Sequence, residues 1–143
     1  MWLRALQFAL EKHRGQVDIH GLPYELHVLR VLGGLSRMGI NQPEALAAAA
    51  LHDTVEDCDV KLGEIEVAFG ARVAQLVGLL THDKEGESYR TYIERVDTDR
   101  VARAIKLADL EDNSLLWRNV PTGKKQPLYA ASIVRLQSGE WPT

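Results

Sequence analysis

The apolar run at residues 45–51 leads without a break into four residues that can bind a metal ion or move a proton: His52, Asp53, Glu56 and Asp57. Seven consecutive apolar residues are typical of a helix that enters a hydrophobic core. Polar groups at the end of a core helix are costly to desolvate unless they are paired or hold a cation. On a continuing helix, Glu56 and Asp57 lie about one turn beyond His52 and Asp53, near the same face. The run therefore predicts a buried polar site at the end of a core helix.

Apolar residues recur at helical spacing along most of the chain, and no stretch keeps the alternation that is typical of a β-strand. Asn41 and Asp99 are suited to cap the third and seventh helices, and Pro23 and Pro43 are suited to first helical turns. A polar break is expected at 121–126. We expect an all-α fold, a compact single-domain helical bundle, with helices at about 2–13, 23–39, 43–54, 61–69, 71–81, 88–96, 100–117 and 127–137.

The composition limits the class of protein. The 143 residues are enough for one domain with a sizeable core, so we expect a single domain over residues 1–143. A net charge of −3 gives no sign of a nucleic-acid surface, and no apolar run approaches the roughly 20 residues of a membrane span. The single cysteine, Cys58, excludes an internal disulfide and fits a reducing compartment. We therefore expect a cytoplasmic protein that binds neither nucleic acid nor membrane, and the sequence leaves its oligomeric state open.

Five separated motifs resemble those of one family. Residues 51–57, LHDTVED, are similar to the signature of the HD-domain metal-dependent phosphohydrolases. In detail they resemble the hydrolase domain of the RelA/SpoT proteins and the stand-alone small alarmone hydrolases. The other four motifs are PYELH at 23–27, KLAD at 106–109, HRGQ at 13–16 and THDK at 81–84, which resemble the family's PYIxHP, KLAD, HxGQ and VTDDK. The resemblance covers about residues 5–118, in the family's order and spacing.

This resemblance implies a metal site and a catalytic pair. The implied metal ligands are two histidines and two aspartates: His27, His52, Asp53 and Asp109. Mixed imidazole and carboxylate ligands suit Mn²⁺, Fe²⁺ or Zn²⁺, and the family implies Mn²⁺. Glu56 and Asp57 match the family's catalytic Glu-Asp pair, which implies that they orient and deprotonate the attacking water and handle the proton of the leaving group.

The resemblance also implies a small-molecule nucleotide as substrate. Asn113 matches a family position that contacts the nucleotide, and it shares a helix face with Asp109 four residues earlier. Basic residues that are candidates to meet the phosphates are Arg14, Lys84 and Lys106, with Lys12 and Arg90 as further ones. The implied reaction is hydrolysis of (p)ppGpp at its 3′-phosphoester, which releases pyrophosphate.

Three departures from the family pattern leave alternatives open. Asp18 and Ile19 stand where the family has a basic pair that holds base and phosphates, Val28 replaces the proline after the motif histidine, and Leu110 replaces an arginine after KLAD. The first departure keeps open a nucleotidase or phosphatase acting on another nucleotide, such as NADPH or a deoxynucleotide. A non-catalytic, metal-binding regulatory domain is a further alternative, but such a domain has no physical need for the Glu56–Asp57 pair.

The remaining polar residues receive structural interpretations. His20 and His82 are expected in loops or at the surface, and His13 is explained equally well by the motif or by a structural hydrogen bond. Glu111 and Asp112 are expected to face solvent, whereas Lys106 is as suited to a surface salt bridge as to a phosphate contact. The adjacent glycines at 33–34 predict close helix packing, because each costs about 1 kcal/mol relative to alanine in a helix.

Overall fold

The computed structural model describes residues 1–115 and 126–143, apart from the side chain of Gln126. These residues form nine helical segments, of which the fourth is a single turn. They contain no β-sheet, only an isolated bridge between Val17 and Pro23. The segments are α1 (Trp2–Lys12), α2 (Glu25–Arg37), α3 (Pro43–Leu51), α4 (Thr54–Asp57), α5 (Leu62–Phe69), α6 (Ala71–Leu80), α7 (Tyr89–Val96), α8 (Arg100–Asn113) and α9 (Gln126–Ser138). The all-α prediction is confirmed.

Helix α3 lies at the centre of the bundle. All residues from Ala45 to Leu51 are buried, and the helix packs against α1, α2, α6 and α8. Five of these seven buried side chains are alanines, which lets the surrounding helices approach closely from several directions. The apolar run therefore ends inside the protein, and its last turn delivers His52 to a buried position.

Helices α2 and α8 pack closely, as the paired glycines predict. A methyl group added at Gly34 would lie 3.2 Å from the β-carbon of Ala108, so only glycine allows this approach without displacement. Gly33 has no comparable neighbour and meets only the flexible end of Arg37. The close contact brings the side chains of His27 and Asp109 to the same place.

Three predicted helix boundaries are wrong. Helix α3 ends at Leu51 rather than near 54, because the Thr54 hydroxyl donates to the Leu51 carbonyl at 2.8 Å and the chain turns there. Asn41 does not cap α3: its side chain accepts a hydrogen bond from Ser36, and Gln42 precedes the helix without a side-chain cap. The second helix begins at Glu25, two residues after the proline expected in its first turn.

The N-terminal end of α8 agrees with the prediction. The Asp99 carboxylate accepts the backbone N–H groups of Val101 and Ala102 at 2.9 and 3.0 Å, which caps the helix. The helix ends at Asn113 and residues 114–115 are not helical, so the predicted extension is wrong there, and its last residues, 116–117, lie outside the described residues. Of the break predicted at 121–126, residues 121–125 also lie outside them, and Gln126 begins α9. No helix in the described part of the chain is long and apolar enough to cross a membrane.

Candidate metal centre and cavity

Three helical regions bring the four predicted ligands together. His27 comes from α2, His52 and Asp53 come from the junction between α3 and α4, and Asp109 comes from α8. One ligand atom from each lies within 4.8 Å of the others. The His52 Nε2 atom is 2.9 Å from an Asp53 oxygen, and the His27 Nε2 atom is 3.0 Å from an Asp109 oxygen. Three of the four residues are buried and Asp53 is nearly so.

Both imidazoles are held by hydrogen bonds from their Nδ1 atoms, on the opposite side of the ring from Nε2. The Nδ1 atom of His27 is 2.6 Å from an Asp112 oxygen, and that of His52 is 2.7 Å from the Ala49 carbonyl. These oxygens only accept, so each Nδ1 carries a hydrogen and donates it. Each Nε2 then points at the carboxylates of Asp53 and Asp109. A neutral Nε2 has a lone pair there, which is repelled by a carboxylate unless a proton or a cation lies between them.

The pKa values of the two histidines reflect the carboxylates that surround them. Burial lowers the pKa of His52, but Asp53 and Asp109 outweigh it and raise that pKa to about 10. The pKa of His27 is raised well above its usual value, since three carboxylates offset its burial. Burial opposes ionisation of Asp109, but Lys106 and the histidines hold its pKa well below the usual range. A divalent cation satisfies the same oxygens without protonating the imidazoles, so this donor set fits a divalent metal.

Asp112 was expected to face solvent, and this expectation is wrong. Its side chain is only 5% exposed and accepts from His27 and from the Arg30 guanidinium, each at 2.6 Å. The sequence carried a signal for this, because Asp112 follows Asp109 by three residues and so shares its helix face. Glu111 is exposed, as predicted.

Tyr24 is a second functional neighbour that the sequence reasoning passed over. Its hydroxyl donates to an Asp53 oxygen at 2.6 Å, and its ring packs against His13 and His27. Burial and Asp53 raise the pKa of Tyr24, so the hydroxyl stays protonated and remains a donor. The PYELH motif contains this residue, but only the position of its histidine had been assigned a role.

A cavity of about 400 Å³ opens beside the four clustered residues. Four carboxylates line it, those of Asp53, Glu56, Asp57 and Asp109. Four aromatic rings also line it, those of His82, Tyr89, Tyr92 and Tyr129. Lys84, Lys106 and Asn113 also line it. An anionic group and a flat ring therefore find complementary surfaces within one cavity.

Glu56 and Asp57 reach the cavity from the short helix α4. Burial and the Asp53 carboxylate raise the pKa of Glu56, although a backbone N–H partially offsets this. That N–H belongs to His82, and it donates to Glu56 Oε1 at 2.6 Å. Burial and Asp53 likewise raise the pKa of Asp57. The pKa values of both carboxyl groups are therefore raised above their usual range, which favours general acid–base chemistry.

Lys106 is a buried residue rather than one on a surface face. Its ammonium donates to Asp109 Oδ2 at 2.8 Å and lies 5.1 Å from the centre of the Tyr92 ring and 5.9 Å from that of Tyr89. The predicted surface salt bridge is therefore wrong, because the ion pair is buried. Lys106 also lines the cavity, and its contact with a phosphate stays a prediction. Asn113 donates from its amide to Asp109 Oδ1 at 3.1 Å.

The other basic candidates divide between the cavity and the outer surface. Lys84 is exposed and lines the cavity. Arg14 is paired with Glu11 at 2.9 Å, with 77% of its side chain exposed, and does not line the cavity. Lys12 lies over the ring of Phe8, and Arg90 lies over that of Trp141, so neither faces the cavity lining.

The loop at 15–24 carries the departure from the family pattern. Asp18 accepts the backbone N–H groups of His20 and Leu22 at 2.8 and 3.1 Å, and Ile19 is 75% exposed. Neither residue lines the cavity. His20 is exposed as expected, whereas His82 lies in a loop but is half-buried, with its ring stacked on Tyr92.

His13 is fully buried beneath this loop. Its Nδ1 atom lies 2.8 Å from Gln16 Oε1 and 3.3 Å from the Cys58 sulfur. The structural hydrogen bond considered from the sequence is therefore present, between two residues of the HRGQ motif.

Comparisons with known proteins agree with this geometry. A family model described as HD domain matches residues 5–110. The chain is 42% identical over 114 residues to the guanosine-3′,5′-bis(diphosphate) 3′-pyrophosphohydrolase MESH1 of Danio rerio, covering 75% of this chain and 63% of that protein. It is 39% identical over 122 residues to the guanosine-3′,5′-bis(diphosphate) 3′-pyrophosphohydrolase of Aquifex aeolicus, covering 80% of this chain and 17% of that protein. The chain thus spans less than two thirds of the length of these two relatives.

A solved structure is also similar. It is described as a metazoan ortholog of SpoT that hydrolyses ppGpp, and it superimposes with a TM-score of 0.81 at 36% sequence identity. The match covers 98% of this chain and 86% of that one. The likeness therefore extends over the helices that carry the four clustered residues and over the cavity beside them.

Proposed function

This chain belongs to the HD-domain family, and from that premise we propose that it is a metal-dependent phosphohydrolase that releases pyrophosphate from (p)ppGpp. The observation that carries the proposal is the convergence of two imidazoles and two carboxylates beside a cavity that is lined by Asp53, Asp109, Glu56 and Asp57. A purely structural cluster does not require a second pair of carboxylates with raised pKa values beside it. The relatives named for this reaction support the choice of substrate.

We propose that His27, His52, Asp53 and Asp109 hold Mn²⁺, with Fe²⁺ or Zn²⁺ as ions that the same ligands accept. A divalent ion bound there supplies Lewis acidity and lowers the pKa of coordinated water. Asp112 and the Ala49 carbonyl fix the two imidazoles with Nε2 inward. The hydroxyl of Tyr24 holds Asp53 in the same way, so the ligands are oriented before any ion arrives.

Glu56 is the proposed general base. Its carboxylate is fixed by the His82 N–H at one oxygen, which leaves the other to accept a proton from the attacking water. Burial raises the pKa of Glu56, and a base with a raised pKa accepts a proton more readily. The pKa of Asp57 is also raised. In this proposal Asp57 gives a proton to the departing ribose oxygen or orients the water.

In this proposal the substrate occupies the cavity, in contact with its carboxylates, its basic groups and its aromatic rings. The ammonium group of Lys84 meets phosphate oxygens, and Asn113 and Lys106 border the same space. The rings of Tyr89 and Tyr129 form a surface on which a base can stack. Arg14, the fourth predicted substrate contact, has no part in this arrangement because its guanidinium lies outside the cavity lining.

A second candidate is a phosphohydrolase that acts on a different nucleotide, such as NADPH or a deoxynucleotide. It is favoured by the loop at 15–24, where Asp18 and Ile19 replace a basic pair. The Asp18 carboxylate accepts the backbone N–H groups of His20 and Leu22, and Ile19 is exposed. The ligands and the Glu56–Asp57 pair are the same in both candidates. They differ only in which phosphoester reaches the metal.

One substrate panel distinguishes these candidates. Purified protein loaded with Mn²⁺ is incubated with ppGpp, pppGpp, NADPH, nucleoside triphosphates and deoxynucleoside triphosphates, and released phosphate and pyrophosphate are measured. Pyrophosphate from ppGpp and pppGpp alone supports the first candidate, and release from another nucleotide alone supports the second. Metal binding without release from any of them contradicts both and indicates a regulatory domain.

A further inference from the structure

The C-terminal end of α6 is held almost entirely by side chains of α7. The guanidinium of Arg95 donates to the carbonyls of Gly78 and Leu79 at 3.1 Å and of Thr81 at 2.9 Å. The Tyr92 hydroxyl donates to the carbonyl of Leu80 at 2.6 Å. The last carbonyls of a helix lack partners within it, and a cation placed there also interacts favourably with the helix dipole. Arg95 therefore fixes where α6 ends and in which direction the chain leaves it.

The same guanidinium also holds the far end of the loop that follows. Glu87 accepts from two nitrogens of Arg95, at 2.7 and 3.3 Å. Arg95 thus contacts Thr81 at the start of the loop at 81–88 and Glu87 near its end. Between them, Asp83 accepts the N–H groups of Glu85 and Gly86, and a methyl group on Gly86 would collide with the Asp83 carboxylate.

The loop at 81–88 contributes a contact to Glu56 and a side chain to the cavity lining. The backbone N–H of His82 donates to Glu56 at 2.6 Å, and the His82 ring lies within reach of the Glu87 carbonyl at 3.1 Å. Lys84 lines the cavity from the same loop. Arg95 itself is not among the cavity-lining residues, so any influence on the reaction passes through the loop.

We propose that Arg95 is a positioning residue for the hydrolysis: by tying the end of α6 to Glu87, it holds the His82 N–H against Glu56. The inference rests on the proposed function insofar as Glu56 is the base. Arg95 contacts Thr81 at the start of the loop at 81–88 and Glu87 near its end, and it ties both to the last turn of α6. Asp83 and Glu87 also bond to each other within the loop. Removing Arg95 therefore takes away the anchor between the loop and the end of α6, and the His82 N–H is held less firmly against Glu56.

Arg103 provides a matched control. Its side chain is 39% exposed, against 34% for that of Arg95. Its guanidinium is also bound to a carboxylate and a carbonyl, both of Asp97. Neither Arg103 nor Asp97 lines the cavity or contacts the loop. Replacing either arginine with alanine removes one guanidinium and one ion pair. Arg95 also loses bonds to three carbonyls where Arg103 loses one, so the free energy of unfolding of both variants is measured beside kcat.

The experiment compares Arg95→Ala, Arg103→Ala and the milder Glu87→Gln in two measurements. In Mn²⁺-loaded protein, we expect Arg95→Ala to lower kcat by about 10- to 100-fold, as a small misplacement of a catalytic group does, with metal content unchanged and a smaller change in KM. Arg103→Ala keeps the wild-type kcat. Glu87→Gln lowers kcat less than Arg95→Ala, and the double variant of Arg95 and Glu87 is no slower than Arg95→Ala, because both act through one contact.

The second measurement does not need activity. Hydrogen exchange of the His82 backbone amide should become faster in Arg95→Ala and in Glu87→Gln, and stay at the wild-type rate in Arg103→Ala. Unchanged exchange in Glu87→Gln and Arg95→Ala, or an equal kcat for Arg95→Ala and Arg103→Ala, overturns the inference. If the wild-type protein hydrolyses nothing in the substrate panel, the proposed function fails, and the amide exchange alone decides whether Arg95 fixes the loop. Should Arg95→Ala not fold, Glu87→Gln gives the same comparison.

Discussion

The two ends of helix α8 both carry clustered charges, but the charges are arranged differently. At the N-terminal end, Asp99 binds Arg72 and Asp97 binds Arg103 and Arg135, all at or near the surface. Two carboxylates meet three guanidiniums there, so no negative charge is left in excess. Such pairs fix the start of the helix and contribute modestly to stability.

At the C-terminal end, the negative charge exceeds what the protein itself neutralises. The carboxylates of Asp53, Asp109 and Asp112 meet around two imidazoles, and the permanent cations beside them are Lys106 and Arg30. Burial makes this excess costly unless protons or a metal ion compensate for it. The comparison indicates that balanced charges build the helix, whereas unbalanced buried charges on the same helix mark the functional site.

Removing a ligand at the unbalanced end should have the largest effect. We expect Asp53→Ala to abolish both metal binding and turnover, because the ion loses one of two anionic ligands and Tyr24 loses its acceptor. Metal content measured after dialysis and product release measured on the same sample test this. Asp97→Ala at the balanced end is the control and should keep both. A metal-free yet fully active Asp53→Ala protein would rule out the mechanism.

Changing the base should separate metal binding from rate. We expect Glu56→Gln to keep the metal, because Glu56 is not one of the four clustered ligands, and to lower kcat by about 10²–10⁴-fold, the usual contribution of a general base. The glutamine oxygen still accepts from the His82 N–H, so the loop stays in place. Wild-type turnover in this variant would show that another group takes the proton.

The carboxylate behind His27 should have a smaller effect. Asp112→Asn keeps the shape but removes the charge that orients the imidazole, and loss of such a partner typically weakens metal affinity or activity by about 10- to 100-fold. Titration with Mn²⁺ gives the affinity, and Asp97→Asn at the balanced end is the matched control. Equal affinity in the two variants would mean that Asp112 serves only to pair with Arg30.

The smallest effect should come from the cap of α8. Asp99→Ala removes the acceptor for two N–H groups and should lower the free energy of unfolding by about 1 kcal/mol, whereas Asp99→Asn keeps an acceptor and loses mainly the Arg72 pair. Neither change should alter kcat, since Asp99 does not line the cavity. Urea unfolding of the three proteins gives the values, and a large loss of activity in Asp99→Asn would contradict the division between the two ends.

The contribution of the Asp99–Arg72 pair to stability also has a defined dependence on pH. Hydrogen bonding to Arg72 lowers the pKa of Asp99 below its usual value. A group whose pKa is lower in the folded state stabilises the fold above its unfolded pKa, near 4. The difference in unfolding free energy between wild type and Asp99→Asn should therefore be constant above about pH 5 and shrink as the pH falls below about 4. A difference that grows on acidification would contradict this assignment.

Local patterns predicted much of the fold and of the metal centre. Helical periodicity gave the helices to within a few residues, because burial of one face repeats with the helix turn. The Asp99 cap was predictable from its neighbours alone. The prediction failed where a side chain bonds across the bundle or replaces a backbone contact, as for the end of α3 at Leu51.

The residues around the ligands were harder to predict than the ligands. Tyr24, Asp112 and Arg95 act through contacts with residues 29, 85 and up to 17 positions away in the sequence. An aspartate near the end of a helix has the same local pattern whether it is solvated or buried. Only the packing of α2 against α8 decides that Asp112 supports His27.

The sequence by itself determined the helices, the apolar run that had to be buried and the identity of the groups that end it. Those features depend on periodicity and on the cost of burying charge, which are properties of short segments. The tertiary structure alone decided that Asp112 supports His27, that the loop at 81–88 meets Glu56, and that Arg14 lies outside the cavity. Contacts between distant segments depend on how whole helices pack, and local spacing does not encode that.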